Sequence, residues 1–354
     1  GTVNVTVTAD ANGDANGSGG AIDMADGSSI VAGGGTVALS ADGNVTVSSI
    51  SSSGNVGITS GNGEILDRGE SPDITAGTLT LNGEAAPGLG TFGTLEVSGD
   101  LDLDSNAQLT FEISGTTVGT NHDQVKVTGL VTLSDATFNG ALGYAPNVGD
   151  QFIIIDNDGT DDDVVGVFTG LSEGTFLDLS YSGTSYTFSI TYEGGDGNDV
   201  VLTAEGVAET EITQDGSGNL IITDITSDSN DTLTITPGAN ATLGQDGYTI
   251  SDPNHIIATD VPGAVRISKN EVFFAYSVLE NIDPNAEIRF NTGAGDDRLT
   301  VDLGTNAADV IHQKIVFNGG ENSGDADELV VVNDGSTPLG TVTQTFTGAE
   351  TGTI

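Results

Sequence analysis

Apolar residues in the first 86 positions come in pairs two apart, among them Val37 and Leu39, Val45 and Val47, Val56 and Ile58, Leu79 and Leu81. That spacing puts both side chains of a pair on one face of a β-strand. Clusters of Gly, Asn, Asp and Ser separate the pairs, as in Ala41-Asp42-Gly43-Asn44 and Ser60-Gly61-Asn62-Gly63. The first three pairs follow one another at roughly ten residues, the rhythm of short strands in an all-β array. No stretch carries an apolar stripe at helical spacing, so the predicted fold class is all-β. Residues 1–86 contain no aromatic residue. Slim aliphatic side chains suit the narrow interior of a parallel β-helix, or β-solenoid, better than a sandwich, which wants bulkier ones.

The texture changes near Pro87-Gly88. From Phe92 to Leu202 the strands lengthen and aromatics enter, as in Leu109-Thr110-Phe111-Glu112-Ile113. Phe152-Ile153-Ile154-Ile155 reads as a strand buried on both faces. Residues 87–205 are therefore expected to form a broader, sandwich-like β module after a β-solenoid over 1–86. A third β-rich repeat region spans 206–354. There Ile288-Arg289-Phe290-Asn291-Thr292-Gly293 and Ile315-Val316-Phe317-Asn318-Gly319-Gly320 look like two copies of one unit. Each leads through an acidic loop into a strand, Leu299-Thr300-Val301 or Leu329-Val330-Val331.

Charge narrows the functions. Seven Lys and Arg face 52 Asp and Glu, a formal net charge of −45. A field of that sign repels phosphate backbones and anionic lipid, which excludes nucleic-acid and peripheral-membrane roles. Cys is absent, and no apolar run is long enough to insert into a bilayer. The sequence opens on a strand-like Thr2-Val3-Asn4-Val5-Thr6-Val7 and ends at Thr353-Ile354, which reads as a segment of a longer polypeptide.

Residues 41–49 (ADGNVTVSS), 54–67 (GNVGITSGNGEILD) and 72–81 (PDITAGTLTL) resemble rungs of filamentous-haemagglutinin-like adhesins. The blocks APGLGTFGTLEVSGDLDL, DQVKVTGLVTL, VGDQFIIIDNDG, VFTGLSEG and ITYEGGDGNDVVLT, in that order, resemble an autotransporter-associated β-repeat module of large secreted bacterial proteins. The likeness runs over roughly residues 30–205, and residues 206–354 resemble, less distinctively, the repetitive regions that accompany such modules. The resemblance implies a right-handed parallel β-helix, display outside the cell, and an adhesive or structural role.

Two acidic patterns suggest Ca²⁺. Gly194-Gly195-Asp196-Gly197-Asn198-Asp199-Val200-Val201-Leu202 fits the calcium nonapeptide of RTX proteins, in which glycines allow tight turns and oxygens bind the ion. Thr292-Gly293-Ala294-Gly295-Asp296-Asp297 fits with its first Gly replaced, and Gly319-Gly320 to Asp325-Ala326-Asp327 fits with an insertion. Asp156-Asn157-Asp158-Gly159-Thr160-Asp161-Asp162-Asp163 resembles the start of a calcium loop, without its closing Glu. The plainer reading is a set of Gly-Asp turns between rungs. The metal candidates are thus Asp156, Asp158, Asp161, Asp162, Asp163, Asp196, Asp199, Asp296, Asp297, Asp325 and Asp327.

Catalysis has little footing. His122, His255 and His312 sit in unrelated contexts, and His122-Asp123 lacks a nucleophile elbow. A turn or surface histidine is the expectation, and the chain is not read as an enzyme. Three functions compete. The leading one is an extracellular structural segment of a surface adhesin, surface layer or filament, self-associating end to end or laterally. Next is a module that binds glycans or surface proteins, with Tyr181, Tyr186 and Tyr192 exposed on a lateral groove. Third is a polysaccharide-active β-helix enzyme with two facing carboxylates.

Overall fold

A computed structural model describes residues 1–9, 20–69, 72–88, 92–158, 162–226, 229–241, 243–303, 311–320 and 326–333. The fold is all-β with several mixed sheets, and the one helix among the described residues is the five-residue Tyr276–Glu280. Two compact units divide the chain, residues 1–206 and 207–354.

Three parallel ladders organise the first unit. In one, Val5, Val37, Val56, Leu79, Leu101, Val131 and Val164 stand in register on successive strands. A second aligns Ile22, Val45, Ile65, Ala85, Leu109 and Phe138. The third runs Ile30, Ile50, Ile74, Val97, Val127 and stops on Asn157. Neighbouring strands lie about 4.8 Å apart, so an inward position can hold only a side chain that fits over its equivalent above and below. The alternating pairs of the sequence are the inward rows: Val37, Leu39, Val56, Ile58, Leu79 and Leu81 are each at most 1% exposed. Residues on either side of position 87 belong to the same sheet, since Ile74–Ala86 pairs with Thr94–Leu103.

Glycine lets one strand serve two ladders. Thr94–Leu103 gives Val97 to the third ladder and Leu101 to the first, and between them Gly99 holds a φ of +134°. An added Cβ there would sit 1.9 Å from the Ala76 carbonyl oxygen. Gly83 does the same inside Ile74–Ala86, with φ +110° and the Ser60 carbonyl oxygen 2.3 Å from an added Cβ. Both corners require a residue with no side chain.

Beyond residue 150 antiparallel pairs join the ladders. Gln151–Asn157 pairs with Asp199–Val207, and Phe176–Tyr181 with Thr184–Gly194. Phe111, Phe138, Phe152, Phe168 and Phe188 fill this part, with ring centroids of contacting pairs 5.8 to 6.1 Å apart. Ile154 and Ile155 are both buried because the register of their strand shifts between Ile153 and Ile155, a bulge that turns two successive side chains inward.

In the second unit the internal repeat is a physical stack. Glu287–Asn291 pairs in parallel with Lys314–Asn318, placing Ile288 on Ile315 and Phe290 on Phe317. Arg298–Asp302 pairs likewise with Glu328–Val332, placing Leu299 on Leu329. An earlier copy, Leu220–Asp224 and Thr232–Asn240, lies under both through Ile222 to Phe290 and Leu233 to Leu299. Antiparallel strands complete the core around Tyr248, Ile250, Val272 and Phe274.

Gly99→Ala is expected to cost about 2–4 kcal/mol, because it forces both a strained φ and a backbone clash. Gly57→Ala, with nothing within 4 Å of the added Cβ, should change stability by less than about 0.5 kcal/mol. Urea unfolding of the two variants checks the contrast.

Candidate functional site: acidic turns and a histidine-centred cluster

The turns between paired strands of the second unit bring acidic side chains into line. Asp231 N–H donates to Asp297 Oδ1 at 2.9 Å, and Asp297 N–H donates to Asp327 Oδ1 at 3.1 Å. Beside this row, Asp296 N–H donates to Asn230 Oδ1 and Ala326 N–H to Asp296 Oδ1, both at 2.8 Å. Each side chain thus accepts an N–H exposed where a neighbouring segment is about to enter its strand, so these residues staple turn to turn. Asp325 lies outside the described residues.

The same device recurs in the first unit. Asp199, 4% exposed, accepts the Asn157 N–H at 2.9 Å. Burial raises its pKa; the Asn157 N–H opposes that, and Asp156 and Asp196 add to it. The Asn157 and Asn198 side-chain amides both donate to the Asp162 carbonyl, at 2.8 and 2.6 Å. Asp156 lies 3.9 Å from Lys126 Nζ, while Asp158 and Asp163 are exposed. Asp161 is outside the described residues. Among the described residues, no three of the acidic groups proposed from sequence bring ligand atoms within 4.8 Å of one another. The expected Ca²⁺ therefore has no converged carboxylate set among the described residues, where Asp199, Asp296, Asp297 and Asp327 accept backbone N–H groups.

The tyrosines require a correction. Tyr186 and Tyr192 are only 8% and 7% exposed, so they do not form an open aromatic groove. On Thr184–Gly194 the alternate positions Tyr186, Phe188, Ile190 and Tyr192 all point to the core. Tyr192 Oη accepts the Phe168 N–H at 3.0 Å and donates to the Leu171 carbonyl at 2.6 Å. Burial pushes its pKa up to about 12. Tyr181 is half-buried against the same core.

The histidines divide by surroundings. His122 is buried rather than at the surface: Nδ1 lies 3.1 Å from the Gly115 carbonyl and the ring meets Phe152 edge-on. Its neighbour Asp123 serves backbone, accepting the Gly93 N–H at 2.8 Å and the Glu112 N–H at 2.7 Å. His312 lies 2.8 Å from Glu280 Oε1 and stacks on Tyr276.

His255 is the hub that the sequence did not reveal. Asp252 Oδ1 accepts the N–H groups of Asn254 and His255, a tight turn that Asp252-Pro253-Asn254-His255 favours. Asp252 Oδ2 accepts the Thr232 N–H at 3.1 Å. His255 Nδ1 lies 3.0 Å from Asp231 Oδ1 and 3.2 Å from Asp252 Oδ2, and Nε2 lies 3.2 Å from Glu209 Oε2. Asp231 and Asp252 are 1% and 0% exposed. Burial, then Asp224, Asp297 and Asp252, push Asp231 up. Burial by itself would lower the imidazole's pKa, but Asp252, Glu209 and Asp231 outweigh it and raise it. The group is a charge hub, one imidazole held among three carboxylates.

Asp123 sets a pH dependence. Burial raises its pKa from 3.8 to about 6. Its contribution to stability is full below the unfolded value of 3.8 and is lost as pH rises through 6, a change of roughly 3 kcal/mol. Asp123→Asn is expected to flatten the stability profile between about pH 4 and 7, read by urea unfolding at a series of pH values. Profiles of equal slope would contradict this assignment.

No protein-family model, curated protein or solved structure matches this chain.

Proposed function

We propose that the chain is an extracellular structural module, a stretch of right-handed parallel β-helix from a bacterial surface adhesin, surface layer or filament. The observation that carries the reading is the column Val5–Val37–Val56–Leu79–Leu101–Val131–Val164. Its members recur 19 to 33 residues apart, close to the range of repeat proteins in which each turn contacts only its neighbours. Three ladders with an aliphatic interior give the first part of this unit the stiffness such a role needs. The net charge of −45 keeps the chain away from nucleic acid and anionic lipid. The resemblance of residues 30–205 to adhesin rungs and autotransporter-associated repeats agrees with surface display. The mixture of ladders and antiparallel strands beyond residue 150 is in keeping with the broader, sandwich-like module expected there.

The partner we assign is a second copy. Among the described strands, Val5–Ala9, Ile22–Asp23 and Ser29–Gly33 each pair on one side only. Val7, in line with Leu39, is 37% exposed, and Val31 is 70% exposed. Such an edge offers unpaired N–H and C=O groups to another strand. Val5 N–H donates inward to the Thr36 carbonyl at 2.9 Å, so the alternation of the strand turns the Thr6 and Thr8 N–H groups outward.

The double variant Thr6→Pro, Thr8→Pro removes those outward donors and should weaken self-association at least about tenfold, with little change in melting temperature. Sedimentation velocity over a range of concentrations measures the first, and electron microscopy of the assembly shows its form. A chain that stays monomeric at every concentration, or a variant that associates as strongly as the parent, removes the reading.

A further inference from the structure

We propose that the second unit holds a zinc-class divalent metal site made of His255 Nδ1, Asp231 and Asp252, with Glu209 orienting the imidazole. The ligand atoms of the three residues lie within 4.8 Å of one another. The Nδ1 distances to the two carboxylates, 3.0 and 3.2 Å, are close to the spacing a tetrahedral ion imposes: bonds of about 2.0–2.2 Å set donors roughly 3.3–3.5 Å apart. Shifts of a few tenths of an ångström on these two contacts would admit the ion.

Two further observations point the same way. Asp231 is 1% exposed, and its Oδ2 is buried with no hydrogen-bond partner. A carboxylate oxygen left in that condition is costly, and a cation relieves the cost. An imidazolium supplies one positive charge against Asp231, Asp252 and Glu209, where a divalent ion supplies two. On the other side of the ring, Glu209 lies 3.2 Å from Nε2. A carboxylate holding the far N–H of a ligating histidine fixes the tautomer and strengthens the donor. The imidazole selects the metal: calcium and magnesium prefer all-oxygen sets, while zinc and its neighbours accept nitrogen with carboxylates. The ion would clip the start of Thr232–Asn240 to the turn after Gln245–Ser251, with the lead into Thr210–Gln214 joined through Glu209 and the imidazole.

The test uses the full untagged chain, stripped with chelator and titrated with Zn²⁺ in excess Mg²⁺, which occupies weak sites on the acidic surface. We expect one strong Zn²⁺ per chain and a rise of about 5 °C or more in the melting temperature of the second unit. The ¹⁵N resonances of His255 should shift while those of His122 and His312 stay in place. His255→Gln and Asp231→Asn should each weaken binding by at least about tenfold. Zn²⁺ affinity unchanged in His255→Gln, an equal thermal shift from Ca²⁺, or a His255 ring that keeps both protons in saturating Zn²⁺ would each overturn the proposal. The histidine resonances of the unsubstituted protein decide the matter should a variant fail to fold.

Discussion

Register governs this protein. Once strands stack in parallel at a fixed spacing, every inward position is tied to the one above and the one below. Valine and leucine fill the first column throughout, and the second widens from Ala85 through Leu109 to Phe138 where the aromatic part of the core begins. The same constraint explains the corners. A strand that leaves one ladder and enters the next brings its backbone against the carbonyl of the previous turn, and only glycine fits at Gly83 and Gly99.

Stacking also determines what the acidic residues do. Each turn exposes backbone donors at the same height as those of its neighbours, and a short carboxylate or amide side chain can reach from one turn to the next. Asp199, Asp297 and Asp327 take that role. The high negative charge is thus of two kinds. Most of it is solvated on the surface, while a few carboxylates are buried and held by N–H groups. Burial raises the pKa of Asp123 and of Asp199 against the N–H groups that each accepts, and burial with the neighbouring Asp224, Asp297 and Asp252 raises that of Asp231.

Much of this fold could be read before any coordinates. The two-residue spacing of Val37 and Leu39 or Val56 and Ile58 is a local signal, and parallel stacking preserves it. The repeat of Ile288–Gly293 in Ile315–Gly320 became a pair of stacked strands because like residues fall on like residues. The bulge at Ile153 to Ile155 was hidden, since an unbroken apolar run gives no sign of a register shift. Tyr186 and Tyr192 were misread because a strand's alternation says which residues share a face, not which face is covered. The His255 cluster was illegible for a different reason. Its members come from positions 209, 231, 252 and 255, and only the stacking and hairpin geometry of the second unit brings them together. The short turn around Asp252-Pro253-Asn254-His255 was its one local trace.

The third ladder of the first unit ends differently from the way it begins. It starts on Ile30 and stops on Asn157, whose strand has Val125–Val127 on one side and the antiparallel Val200–Thr203 on the other. At that ladder the parallel stack therefore stops: a further turn running in the same sense could not be laid on the Asn157 strand without displacing its antiparallel neighbour.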